Sequence, residues 1–354
     1  MAEITPGLEK RLIGALQPIR GFVLAQALHQ FMDTGIHDAL TKHGGLPVDR
    51  LARICGLSAD RLGGFLRYLA NEDFVDIAAD GTVALTSAAA EIGVFQPWYA
   101  LLVGGYTPAF ACLREVLADP AAYAPRNAAQ VGVGSCGISE YDALPMAERL
   151  FQRIPEPVGT VVDLGCGDGR YLAELCARNP GLRGVGVELA EQSVTNARRL
   201  MQQRGLAERV AVMAGRADDP PDLADRPGPL CFITAFVLQE ILEQRDRAAI
   251  LELLRKVFAR HPDASWIVIE VDHRPADPDV MGHGLGLAYY NPYYLIHRIT
   301  EQRLETRRFW EDLFAEAGLS TVGPEVPDPA YDSLGLKLGY LLRPAVAPAT
   351  RADP

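Results

Sequence analysis

The sequence predicts an α/β protein: a seven-stranded, mostly parallel, doubly wound sheet, preceded by a helical domain that ends in a winged hairpin. Three observations carry this. From about Met146 to Leu342, apolar runs alternate with helical patterns, as in a parallel sheet covered on both faces. One apolar run, Val161-Val162-Asp163-Leu164, enters the glycine-rich turn Gly165-Cys166-Gly167-Asp168-Gly169 just before a helix near Arg170. The first 91 residues carry helical spacing, then two short β runs around Asp80-Gly81.

Taken in order, Leu12 to Leu40 repeats apolar residues (Ile13, Leu16, Ile19, Phe22, Val23, Ala27, Leu28, Phe31) on one helical face. Leu51-Ala52-Arg53-Ile54-Cys55-Gly56-Leu57 reads as the entry of a helix-turn-helix, with Ser58 capping a helix over Ala59 to Asn71. Residues 74–77 and 82–86 form the hairpin. Residues 92–145 read as a connector rich in glycine and aromatics. Its last part, Val131 to Asp142, is dense in hydroxyl and acid groups and reads as a flexible functional loop. Strands are expected at 160–164, 184–188, 209–213, 230–235 and 265–271, with a final pair near 320–326 and 335–342. Helices are expected near 170–179, 190–204, 246–260 and 308–317. The domain plan is therefore 1–91, 92–145, 146–343 and a disordered Ala/Pro-rich tail, 344–354.

Composition bounds the function. The 354 residues are 49% hydrophobic and 22% charged, ordinary for a soluble globular protein. A net charge of -11 argues against nucleic acid as the main partner, although a winged helix raises that question and Arg61 and Arg67 lie on its second helix. The six cysteines contain no C-x-x-C pair and read as reduced thiols of a cytoplasmic protein. Met1 to Lys10 lacks a signal-peptide core, and no apolar run has membrane-spanning length.

The glycine turn and Glu188, which ends the next apolar run, form the most specific motif. A phosphate loop would need Gly-Lys-Ser/Thr, and a dinucleotide fingerprint would space its glycines G-x-G-x-x-G. The observed G-x-G-x-G, with Asp163 before it and Asp168 within it, resembles the S-adenosylmethionine (SAM) site of class I methyltransferases and their Rossmann-like sheet. That resemblance implies that Gly165, Gly167 and Gly169 pass the methionine part, Asp163 anchors its ammonium, and Glu188 with Leu189 holds the ribose. Adenine is expected near Ala217 and Asp218. The N-terminal segment is similar to the dimerisation domain of small-molecule O-methyltransferases, which implies a homodimer.

The ends of the fourth and fifth strands set the chemistry. Plant-type O-methyltransferases present His-Asp, the histidine a general base, where this chain has Gln239-Glu240. Gln239 cannot take a proton, so Glu240 is the available base or charge partner. Beyond the fifth strand, Glu270, Asp272, His273 and His283 precede Tyr289-Tyr290-Asn291-Pro292-Tyr293-Tyr294 and His297-Arg298, then Gln302-Arg303-Leu304. This segment, with Ser135 to Asp142, resembles the α-keto acid C-methyltransferases. In that group two histidines hold a metal that stabilises an enolate. His297 matches one and Gln239 falls at the other, so a divalent or ferric metal is possible but its ligand set is incomplete.

The expectation is a SAM-dependent enzyme that methylates carbon 3 of a small 2-oxo acid, one with a guanidinium tail. The alternative is O- or N-methylation of a specialised metabolite. Glu240, His297 and Gln239 are the candidate catalytic residues. Arg298 or Arg303 would take the carboxylate, and Glu140, Asp142 and Asp272 are the acids for the guanidinium. Ser135, Tyr141 and Tyr290 would line the pocket.

Overall fold

A computed structural model describes residues 6–345 of the chain. It divides into two compact units, Met1–Gly105 and Tyr106–Pro354. The boundary falls inside the segment read as a connector.

In the first unit the long apolar stretch is two helices, Leu8–Asp33 and Ile36–His43, because Gly35 adopts a left-handed φ of 76° between them. Val48–Cys55 and Ala59–Asn71 follow, then helix Ser87–Gly93, whose Thr86 hydroxyl caps the Ala89 amide at 3.2 Å. Ser58 holds the N-cap position of Ala59–Asn71, but its side chain makes no capping bond, which corrects that expectation. Strands β1 (Leu46–Pro47), β2 (Val75–Ile77) and β3 (Thr82–Leu85) form an antiparallel sheet in the order β1-β3-β2. The core of this unit includes Leu28, Phe31, Leu40, Leu51, Leu66 and Leu69. On helix Leu8–Asp33 only the C-terminal half is buried, while Leu12, Ile13, Leu16, Ile19 and Phe22 are exposed.

The second unit holds the seven-stranded sheet: β4 (Thr160–Leu164), β5 (Arg183–Glu188), β6 (Val210–Ala214), β7 (Leu230–Ala235), β8 (Ser265–Val271), β9 (Leu319–Glu325) and β10 (Lys337–Pro344). Its order is β6-β5-β4-β7-β8-β10-β9, parallel except that β10 is antiparallel to both β8 and β9. Every residue of β4 and β8 is buried, as a strand covered on both faces must be. The alternation of side chains splits the core in two. Val162, Leu164, Phe232 and Trp266 face one layer, and Val161, Cys231, Ile233 and Ile267 the other. Burying each such aliphatic side chain contributes roughly 1.5–3 kcal/mol. The chain order reverses beside β4, so a crevice opens beyond the carboxyl ends of β4 and β7, where doubly wound sheets bind ligands.

Two expectations are corrected. Val131 to Asp142 is mostly not a loop: Ala128–Ser139 is a helix, with Asn127 accepting from the Gln130 amide at 3.3 Å. A Cβ on Gly132 would make only an ordinary contact, 3.8 Å from Ser193 Oγ. Pro344, expected in the tail, ends β10, and the remainder of that tail from 346 on lies outside the described residues.

Candidate active site

The turn after β4 is shaped by three left-handed glycines, Gly165 (φ 81°), Gly167 (φ 54°) and Gly169 (φ 81°). Sterics favour glycine at each. Gly169 is also the N-cap of helix Arg170–Arg178. Space is equally tight. A Cβ on Gly165 would lie 2.6 Å from Val237 Cγ2, one on Gly167 3.1 Å from Cys136 Sγ, and one on Gly169 2.9 Å from Met201 Cε. Glu188 is fixed by the same turn, its Oε2 accepting from the Gly167 amide at 3.0 Å and its Oε1 from Ala190 at 2.9 Å. Neighbouring Leu189 is exposed.

Asp163 lies beneath the turn, buried, with Oδ2 lacking a hydrogen-bond partner among the described residues. Burial, then Glu188 and Asp168, push its carboxyl up to about 8. A buried carboxylate beside a cradle without side chains is an arrangement that suits a cationic ligand. At the end of β6, Ala217 packs against the core, and the Asp218 carboxylate is clamped by Arg216 at 2.8 Å and Arg245 at 3.0 Å. The hydrogen bond from Arg216 leads in lowering its pKa. Asp218 therefore has its charge satisfied within the protein.

Beyond β7, Phe236 takes the left-handed φ of 61°, a strained choice for an aromatic residue, with its amide held by Ile269 O at 2.8 Å. Helix Leu238–Gln244 then starts on a cap from β8: Glu270 Oε1 accepts from the Leu238 amide at 2.9 Å. Burial pushes Glu270 up to about 8, against the hydrogen bonds it accepts from the helix amides. The capped turn presents Gln239 and Glu240. Gln239 is buried, with Oε1 unpartnered among the described residues.

Glu240 is half-buried and engaged by Arg126 Nη1 at 2.8 Å and by Gln302 Nε2 at 3.0 Å. The Tyr106 hydroxyl donates to Gln302 Oε1 at 3.0 Å and completes the network. Burial alone would lower Arg126, but Glu240 outweighs it and the net direction is up. The guanidinium stays charged.

His297, on helix Asn291–Ile299, is buried, and its ring stacks 3.8 Å from that of Tyr293. Its Nδ1 lies 2.7 Å from Tyr293 O. A carbonyl can only accept, so Nδ1 carries the proton and Nε2 is the free base. Burial lowers its pKa to about 3, opposed by the Tyr293 carbonyl and aided by Arg126 and His273, which keeps the ring neutral. Tyr106 closes over it, with ring centroids 6.2 Å apart.

The remaining expected residues are distributed unevenly. Arg298 is exposed, and Arg303 is exposed and held by Glu305 at 2.9 Å, so neither is the buried cation expected for a carboxylate. Asp272 Oδ1 accepts from the Arg307 amide at 2.8 Å and serves the next helix. Glu140 is exposed and paired with Arg170. Asp142 is buried but already engaged: it caps helix Ala143–Phe151, accepts from the Tyr331 hydroxyl at 3.1 Å, and pairs with the buried Lys337. Ser135 is half-buried on its helix, Tyr141 stacks on Tyr331 at 5.9 Å, and Tyr290 is bound through its hydroxyl to the buried Asp332.

Sequence reasoning missed Arg126 and Lys337. Arg126 follows an irregular Ala/Pro stretch that carries no periodic signal. Lys337 did carry one, a single lysine within the apolar run Leu334 to Leu342. Among the described residues, no group of three or more His, Cys, Asp or Glu side chains is arranged to hold a metal ion.

Comparison with known proteins agrees with this geometry. Residues 161–261 match the family described as a methyltransferase domain. The chain is 46% identical over 338 residues to the 2-ketoarginine methyltransferase of Streptomyces arginensis, covering 95% of this chain and 97% of that protein. It is 28% identical to the indolepyruvate C-methyltransferase of Streptomyces griseus, covering 81% and 83%. The human N-acetylserotonin methyltransferase, solved in complex with SAM, shares the fold with a TM-score of 0.65 at 16% identity, covering 98% of this chain and 100% of that one. On the strength of the near full-length match, the chain belongs to the class I SAM-dependent methyltransferases, in the group of 2-ketoarginine methyltransferase and indolepyruvate C-methyltransferase.

Proposed function

We propose that this chain transfers a methyl group to carbon 3 of a 2-oxo acid, and that the acid is 5-guanidino-2-oxopentanoate (2-ketoarginine). The observation that carries the reading is the 46% identity to 2-ketoarginine methyltransferase along 95% of the chain. A neutral buried imidazole beside a retained guanidinium supports it.

When bound, SAM supplies a methyl on a sulfonium, already electrophilic; Asp163, the glycine turn and Glu188 would hold it. The protein must then activate a weakly acidic carbon next to a ketone. Arg126, aligned by Glu240, takes the substrate carboxylate as a fork-shaped donor. His297 Nε2 accepts the proton from carbon 3, and binding of an anionic substrate nearby raises the basicity that burial suppresses. Tyr106, Tyr293 and Gln239 exclude water around that carbon. Glu240 is the partner of Arg126 in this scheme, its Oε1 engaged by Arg126 and Gln302.

The exposed apolar stripe of helix Leu8–Asp33 supports a homodimer formed through the N-terminal unit, since a monomer rarely leaves such a face to water. No described helix is long and apolar enough to cross a membrane. With all six cysteines free, work in the reducing cytoplasm is the reading adopted.

The test is incubation with methyl-labelled SAM and 2-ketoarginine, with and without chelator, followed by location of the label. Label on carbon 3 is expected. Label on oxygen or nitrogen, or none with any 2-oxo acid, would overturn the assignment.

A further inference from the structure

Two ion pairs stand at opposite ends of one aromatic wall, and their charge balance differs. The rings of His297, Tyr293 and Tyr289 follow one another at 3.8 and 5.7 Å. At the His297 end is the Arg126–Glu240 pair, one charge of each sign. At the Tyr289 end lie Asp142, Asp332 and Lys337, each no more than 2% exposed. Lys337 Nζ pairs with Asp142 and sits 5.3 Å from the Tyr289 ring centroid and 6.0 Å from those of Phe236 and Tyr331. Asp332 is bound by the Tyr290 hydroxyl and the amides of Leu334 and Gly335. Two carboxylates face one ammonium, so this end carries an excess negative charge in a buried aromatic shell. The buried Tyr171 hydroxyl, which among the described residues has no hydrogen-bond partner of good geometry and interacts with Ser139, also lies within electrostatic reach of Asp142.

We propose that the Asp142–Lys337–Asp332 cluster, with the Tyr289 and Tyr331 rings, is the subsite for a cationic substrate tail, while Arg126 takes the carboxylate at the other end. The inference rests on the 2-oxo acid reading and deepens it, because the net charge at each end fixes which way round a dipolar substrate lies. An aromatic shell that already accommodates one ammonium offers favourable faces to a second cation. A guanidinium is the best fit, being planar, weakly hydrated and able to stack on tyrosine while donating to a carboxylate. Lys337 is the resident cation. It keeps Asp142 from being buried without a counter-charge when the tail is absent, and it limits the subsite to a single added positive charge.

The variant Asp332→Asn keeps an acceptor for the two amides and removes one charge. It should lower kcat/KM for 2-ketoarginine about tenfold or more, and leave kcat/KM for the neutral-tailed 2-oxohexanoate within about twofold. Lys337→Gln should shift the ratio the other way, towards the guanidino acid. Equal losses on both acids, or no change in the ratio, would overturn the subsite. Calorimetry with 4-guanidinobutanoate and pentanoate, in the presence of S-adenosylhomocysteine, reads binding without turnover. If 2-ketoarginine is not methylated but 4-guanidinobutanoate binds and Asp332→Asn weakens it, the subsite stands and the reaction assignment falls. If wild type binds both acids equally, the subsite falls whatever the reaction.

Discussion

Arg126 Nη1 meets Glu240 Oε1 at 2.8 Å, and the Gln302 amide holds the same oxygen at 3.0 Å. The carboxylate is thus committed to orienting the Arg126 guanidinium, which also interacts with the Tyr106 hydroxyl. Arg126→Met leaves Glu240 half-buried with one partner fewer and removes the carboxylate anchor. At the pair's partial exposure the loss should be about 2 kcal/mol, roughly thirtyfold in kcat/KM for the 2-oxo acid. Arg126→Lys should recover only part of it, because an ammonium lacks the fork. SAM affinity, measured separately by calorimetry, should stay unchanged in both.

Glu188 is pre-oriented by the Gly167 and Ala190 amides, so its carboxylate is in place before a ribose arrives. Glu188→Ala removes charge-assisted hydrogen bonds to ligand hydroxyls and frees the two amides. Affinity for S-adenosylhomocysteine should fall by about 2–3 kcal/mol, thirty- to more than a hundredfold in Kd. Turnover at saturating SAM should change much less.

Alanine at the turn glycines should rank by what the new Cβ meets. Both Gly165 and Gly167 have left-handed backbones, costing about 1–2 kcal/mol for any other residue. Gly165→Ala adds a 2.6 Å clash with Val237, next to the strained Phe236, whereas Gly167→Ala meets the Cys136 sulfur at 3.1 Å. Gly165→Ala should therefore lose more Tm and more SAM binding than Gly167→Ala. The reverse order in a thermal melt would contradict this packing.

The geometry of the glycine turn was legible in the sequence because one short segment contains it. Strand, glycine spacing and terminal acid are local signals, and β4, β7 and β8 begin and end where the apolar runs do. The cluster proposed to meet the substrate was less legible. Arg126, Glu240 and His297 come from three separate segments that only tertiary packing brings together. The glycines from 132 to 137 misled: in sequence they signal flexibility, but in the fold they lie within helix Ala128–Ser139, whose Cys136 packs against Gly167. Arg298 and Arg303 were plausible by type and position along the chain, but helix geometry turns Arg298 away from the buried face that carries His297.

Leu12, Leu16, Ile19 and Phe22 are exposed on one helix, while Phe31 further along it is fully buried. Ile19→Glu with Phe22→Glu should abolish a dimer built on that stripe without disturbing the core below it. Light scattering should report a monomer with an unchanged far-ultraviolet spectrum. A dimer that survives both charges would place the interface elsewhere.

Asp163 makes the site sensitive to pH in a direction that can be worked out. Burial first, then Glu188 and Asp168, raise its carboxyl to about 8 in the ligand-free protein, against about 3.9 in an unfolded chain. Between those values the folded state holds a proton that the unfolded state lacks. Ligand-free stability contributed by this group is therefore full below about pH 4 and is lost as pH rises towards 8. The cofactor's ammonium favours the ionised form, so binding near pH 7 should expel a proton, and affinity should rise with pH until about 8. Calorimetry in buffers of different ionisation enthalpy would measure that proton. Asp163→Asn should abolish proton release, flatten the stability profile over the same interval and weaken SAM binding. Proton release of the same size from the Asn variant would assign the titration to another group.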